Sequence, residues 1–150
     1  MSELRELYQQ LILDHNKSPR HYGRLADANR HSEGHNPLCG DRLQVFVRLE
    51  GDVIRDLSFE GSGCAISRAS ASLLMEALKG KSVTQADRLL AAYHRMLTSP
   101  PDAEVDRDSL GKLAVFAGVR AFPMRVKCAT LPWHTVRAAL AGDGTPVSTE

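Results

Sequence analysis

Three cysteines, Cys39, Cys64 and Cys128, are the residues of this chain most suited to chemistry. None of them sits in a hydrophobic stripe. Cys39 lies in Asn36-Pro37-Leu38-Cys39-Gly40-Asp41, just ahead of an alternating apolar stretch. Cys64 follows Gly61-Ser62-Gly63 and opens a helical pattern, and Cys128 reads as part of a non-helical lead-in to the last helix. A cysteine used as core filler is expected among Leu and Val inside a stripe. Placement at element boundaries therefore favours ligands or nucleophiles. The odd count argues against a disulfide framework. The N-terminal stretch MSELRELYQQLILDH is charged throughout and does not read as a signal peptide. Free thiols in a reducing cytoplasm are the expectation.

A tetrahedral zinc site takes four donors, commonly thiolate, imidazole or carboxylate. Cys39 and Asp41 are separated by one glycine, which allows a tight bend that turns both side chains the same way. Cys64 at a helix start meets unpaired N–H groups and the positive end of the helix dipole, an environment that favours an anion. Cys39, Asp41, Cys64 and Cys128 can thus supply one coordination shell. The chain has no C-x₂-C pair, and Asp41 is equally at home as a turn or strand-entry residue. His35 and His134 compete for the fourth place and rank below Asp41. A thiolate-rich site carries net negative charge and needs cations nearby. Arg125 and Lys127 flank Cys128; Arg68, one turn after Cys64, reads as pointing to solvent. A zinc that merely ties loops together is the bland alternative. A zinc hydrolase lacks an evident general base and an HExxH-like pair.

These residues need a frame. Leu4, Leu7, Tyr8, Leu11 and Ile12 make a helical stripe over 3–14, with Ser2 as a cap. Residues 15–41 read as loop with one short strand before Cys39. Leu43, Val45, Val47 and Leu49 alternate with polar residues, Phe46 excepted; Val53, Leu57 and Phe59 repeat the pattern, with Arg55 out of phase. Gly51-Asp52 between them makes a β-hairpin turn. Ile66, Ala69, Leu73 and Ala77 then mark a helix over 65–79 that ends at Gly80. Ser82 and Gln85 form a capping box for a stripe of Ala86, Leu89, Leu90, Tyr93 and Leu97. Residues 98–109 are polar, with paired prolines, and read as a surface connection. A short helix is expected near 110–118 and a last one near 132–141, with Thr130 as cap, Pro132 in the first turn and Gly142 as stop. One helix, a small antiparallel sheet of about three strands and then four or so helices define an α+β fold. The whole chain, 1–150, reads as a single domain with a tail over 142–150.

The chain of 150 residues is 43% hydrophobic and 25% charged, with 19 Lys and Arg against 18 Asp and Glu. That composition is ordinary for a globular domain. The two signs are interspersed, so there is no basic face for nucleic acid or an anionic membrane. No apolar run approaches the length of a membrane span.

The segments NPLCGD, GSGCAISRASASLL, LKGK and FPMRVKCATLPW, with the N-terminal LYQQLILDHNKSPRHYG, resemble the SufU-type members of the iron–sulfur assembly proteins related to IscU and NifU. The likeness runs from about residue 4 to 140 and implies a SufE/NifU-like fold. Similar cluster scaffolds carry a histidine immediately before the third cysteine, where this chain has Lys127; the connection around 98–111 is also longer, as in SufU. The resemblance implies a zinc protein acting with a SufS-type cysteine desulfurase in the cytoplasm. It would accept persulfide sulfur on Cys39 and pass it to the cluster assembly machinery, with a SufBCD-type scaffold downstream. In that scheme the desulfurase lends a histidine that displaces Cys39, while Asp41, Cys64 and Cys128 keep the metal and Arg125 supports the site. The other function implied is a scaffold that holds a transient [2Fe–2S] cluster on the same residues.

Overall fold

The alternation of Leu43, Val45 and Val47 with polar neighbours builds the second strand of a four-stranded sheet. A computed structural model describes residues 2–142 and 147–148, with side chains from residue 9 onward. Strands β2 (Asp41–Glu50) and β3 (Val53–Ser62) form the expected antiparallel hairpin. The register slips between Arg48 and Leu49, where Arg48 faces Asp56 and Leu49 faces Ile54, leaving Arg55 unpaired. This bulge explains the break in phase at Arg55: the extra residue reverses the strand's facing. Ile54, not Val53, therefore enters the core beside Leu57 and Phe59.

Strand β1 (Arg30–Asn36) pairs antiparallel with β2, so the strand expected before Cys39 is present. Val147–Ser148 add a short fourth strand, β4, parallel to β1, and the sheet order is β3-β2-β1-β4. The sheet is thus mixed, and two residues of the expected tail belong to it. The other residues of that tail, 143–146 and 149–150, lie outside the described residues.

Helix α1 spans Ser2–Lys17. The helix starts at Ser2 itself, so Ser2 is not its cap, and it runs three residues past the expected end at 14. Of the expected stripe, Leu11 and Ile12 pack against the core, and the side chains of Leu4, Leu7 and Tyr8 lie outside the described residues. Helix α2 (Ala65–Leu78) starts from Cys64 as N-cap, and α3 (Val83–Leu97) has both halves of the Ser82–Gln85 capping box. The segment expected to be a short helix is a one-turn α4 (Arg107–Leu110) followed by a 3₁₀ stretch, Gly111–Ala121.

The last helix corrects the sequence reading. Helix α5 runs over Pro123–Ala141, nine residues longer at its start than the stretch near 132–141. Pro123 occupies the first turn, Gly142 adopts a left-handed φ of +75° at the end, and Pro132 is interior and buried. Thr130 is therefore no cap; its hydroxyl bonds back to the Lys127 carbonyl at 3.2 Å. Proline lacks an N–H, so Pro132 leaves the Cys128 carbonyl without its usual partner. Burial of Cys128, Ala129, Leu131, Pro132, Thr135 and Val136 on α5 holds the helix together across that gap. Helix α5 can lie close on β1 because position 34 is glycine: a Cβ there would overlap the Thr135 hydroxyl. Among the described residues, no helix is long and apolar enough to cross a membrane.

Candidate metal and sulfur centre

The hairpin joining β1 to β2 brings Asn36 directly opposite Asp41, with Pro37 to Gly40 as its loop. Gly40 adopts φ +70°, a left-handed turn open to glycine at little cost, and this turn points Cys39 and Asp41 toward α5. Cys128 approaches from the second turn of α5, not from a loop. Its Sγ lies 3.3 Å from Cys39 Sγ. One sulfur or oxygen from each of Cys39, Asp41 and Cys128 falls within 4.8 Å of the other two.

Cys64 is not among these grouped donors and approaches them through Asp41. Its backbone N–H donates to Asp41 Oδ1 at 2.8 Å, and its Sγ lies 3.9 Å from Asp41 Oδ2. The same sulfur caps α2 by accepting the Ser67 N–H at 3.5 Å. Gly63 sits at φ +151°, and a Cβ there would run into the Asp41 carboxylate. The Gly-Ser-Gly turn thus exists so that the start of α2 can reach Asp41.

Exposure separates the three sulfurs. Cys39 is exposed, Cys64 is intermediate, and Cys128 is buried at 2%. Burial, followed by contact with Cys39, Cys64 and Asp41, pushes the Cys128 thiol far above the usual range. Crowded acceptors without a cation favour its neutral form. Asp41 is 0% exposed, yet no Lys, Arg or His forms an ion pair with it among the described residues. A buried carboxylate beside three sulfurs and without an ion-pair partner among the described residues suits a divalent cation of borderline softness.

The remaining sequence candidates stand apart. Arg125 is exposed and stacks over the Phe122 ring at 4.5 Å. Arg68 does not point to solvent; its guanidinium lies over Tyr22 at 5.6 Å and its Nε is buried. The aromatic face beside α2 offers more contact than water does. His134 packs edge-on against Trp133, and burial lowers its pKa, aided by His94 and Arg137. His35 is half-buried on β1. Neither histidine is among the grouped donors. Asn36 was missed as a site residue. Its amide nitrogen lies 3.3 Å from Asp41 Oδ2 and 3.6 Å from Cys128 Sγ. Its place at the head of NPLCGD, across the hairpin from Asp41, was the signal available.

Fold and site together define an α+β protein with a thiolate-rich, partly exposed centre at one end of its sheet. The chain matches the family model for the NifU-like N-terminal domain over residues 7–129 and belongs to that family. It is 40% identical over 141 residues to the zinc-dependent sulfurtransferase SufU of Bacillus subtilis, with 93% of each chain covered. It is 36% identical to the iron–sulfur cluster assembly scaffold protein IscU of Streptococcus pyogenes, over 93% of this chain and 86% of that one. A crystal structure of a putative iron–sulfur cluster assembly scaffold protein for the SUF system from Fervidobacterium islandicum superposes with a TM-score of 0.81 at 36% identity. That match covers 91% of this chain and 98% of the other.

Proposed function

We propose that the protein serves iron–sulfur cluster assembly as a zinc-dependent sulfur acceptor, taking sulfane sulfur on Cys39 from a SufS-type cysteine desulfurase and yielding it to the cluster assembly machinery, with a SufBCD-type scaffold downstream. Cys39, Asp41, Cys64 and Cys128 are the zinc ligands in this reading. When bound, the ion would hold the sulfurs as thiolates and offset the charge gathered around Asp41. The observation that carries the assignment is the exposure of Cys39 next to two less accessible sulfurs. Leu38 beside it is 51% exposed, so the loop presents an apolar neighbour as well as the thiol to an arriving protein.

The transfer is a thiol exchange. The Cys39 thiolate attacks the outer sulfur of the donor persulfide. A new S–S bond forms on Cys39 as the donor's S–S bond breaks. The donor cysteine leaves as a thiolate and takes up a proton, with no net oxidation. Asp41, Cys64 and Cys128 stay in place because strand, helix start and helix interior hold them. Arg125, exposed at the start of α5, offers its charge to the partner and supports the site from outside.

The test is the intact mass of the zinc-loaded protein after incubation with a SufS-type desulfurase and free cysteine, beside Cys39→Ser. Wild type is expected to gain sulfur and the variant to gain none. Equal uptake by both would remove Cys39 from the mechanism. The likeness to IscU keeps a second reading in view, a scaffold for a [2Fe–2S] cluster on the same donors. Lys127 speaks against it, because it stands where such scaffolds present an imidazole. Anaerobic reconstitution with iron and sulfide, followed by visible spectra, separates the two.

A further inference from the structure

We propose that Asn36 is the positioning residue of this centre: its side-chain amide donates one N–H to Asp41 and one to Cys128, holding two ligands from different elements in place while making no bond to the Cys39 thiol. The inference rests on the metal-binding reading above. Asn36 is 0% exposed and closes the β1–β2 hairpin as the register partner of Asp41. Its Nδ2 lies 3.3 Å from Asp41 Oδ2, a long N–H···O bond, and 3.6 Å from Cys128 Sγ, within reach of the larger sulfur. Its Oδ1 is buried and has no partner among the described residues.

The orientation of the amide follows from its neighbours. A carboxylate and a thiolate only accept, so the NH₂ end must face them. The reverse orientation would set a carbonyl oxygen against a carboxylate. A buried carbonyl without a partner costs free energy. A residue kept for packing alone would be apolar here, as Leu43, Val45 and Val47 are on the adjacent strand. The orphaned oxygen is therefore the cost of having two donors at this point. Asp offers no donor in its ionised form, Ser offers one, and Gln carries an extra methylene into a closed space.

The hydrogen bonds fall on the buried donors and not on the acceptor sulfur. Cys39 is tied to Asn36 only through the main chain, its N–H donating to the Asn36 carbonyl at 3.3 Å. Asn36 thus holds the anchors of the site in register while Cys39 swings on Gly40 to meet its donor. Groups that orient metal ligands in this way commonly change affinity by about 10–100-fold when removed.

Two measurements test this, one on the unaltered protein. In cadmium-113-loaded, nitrogen-15-labelled wild type, a proton–cadmium correlation spectrum should show the Asn36 side-chain N–H coupled to the metal through Cys128 Sγ. The Ser67 amide, which bonds to Cys64 Sγ, should show the same coupling through that sulfur. A loaded protein lacking the Asn36 coupling overturns the proposal. In the second measurement Asn36→Leu is titrated with zinc against a chromophoric chelator. It should bind at least about tenfold more weakly, a larger loss than any drop in the melting temperature of the metal-free variant accounts for. Unchanged affinity, or a loss of metal-free stability that accounts for the weakened binding, overturns it. Wild type that takes up neither zinc nor cadmium removes the metal-binding reading itself, and this inference with it.

Discussion

At Gly63 the backbone turns with φ +151° immediately before Cys64, and the space a Cβ would need is filled by Asp41. Gly40 also has a left-handed φ, of +70°, but nothing lies within 4 Å of where its Cβ would be. The two glycines therefore make different demands. Gly63→Ala should strain the turn and displace the carboxylate, costing roughly 1–3 kcal/mol in urea unfolding and lowering the bound metal per chain. Gly40→Ala should cost about 1 kcal/mol and leave the metal content intact, since only the backbone preference is offended. Equal metal loss in both would show that Asp41 is not what Gly63 makes room for. Asp41 itself links three parts of the site, through the Cys64 amide, the Asn36 amide and its own place at the head of β2.

Between elements, the contact of α1 with α2 contains a buried histidine. His15 is 1% exposed, and its Nδ1 lies 2.6 Å from the Ser72 hydroxyl, which in turn accepts the Arg20 N–H at 2.8 Å. Placing the hydroxyl hydrogen on the Nδ1 side satisfies Nδ1, the hydroxyl and the Arg20 N–H, and leaves the imidazole neutral. Burial first, then the Arg20 charge, lowers its pKa below 6.5, against smaller opposing effects of Glu76 and Asp14. As pH falls, the unfolded chain takes up this proton before the folded one does. Stability from His15 is therefore complete above the unfolded value near 6.5 and declines below it until the folded imidazole also charges. His94 and His134, both lowered chiefly by burial, act with the same sign. Melting temperature should fall between about pH 7.5 and about pH 5, and His15→Gln should make the fall shallower. A variant with the wild-type slope would show that the α1–α2 contact does not sense protonation.

Across the whole molecule, the centre gathers donors from the β1–β2 loop, the start of β2 and the second turn of α5, with Cys64 at the start of α2 bonded to Asp41. A metal held by all four side chains would join these elements, so its binding free energy would add to folding. Removing it with a chelator should lower the melting temperature without changing the secondary structure of the folded protein. The metal-free protein should then react with a thiol alkylator in the order of exposure, Cys39 first and Cys128 only on unfolding. Peptide mass mapping reads that order directly. Early labelling of Cys128 would mean that the metal, and not the packing of α5, keeps it inside.

Much of this arrangement follows from short-range rules that the chain carries openly. The period-two apolar pattern and Gly51-Asp52 determine the hairpin, Cys64 and Ser82-Gln85 determine where α2 and α3 begin, and Gly142 determines where α5 stops. Each depends on a few neighbouring residues and their own backbone and hydrogen-bonding preferences, so each can be read from one sequence. The start of α5 cannot. Pro123 and Pro132 are both acceptable in a first helical turn, and only packing of the intervening residues onto the sheet and α2 favours the earlier one. The parity change at Arg55 and the parallel pairing of Val147–Ser148 with β1 are likewise settled by partners distant in sequence. The same holds for the centre. The residue types and their glycine neighbours are legible, but that Cys39 and Cys128, 89 positions apart, come within 3.3 Å is decided by α5 lying on β1. So is the role of Asn36, because a hydrogen-bond donor becomes a positioning group only when the fold places both acceptors around it.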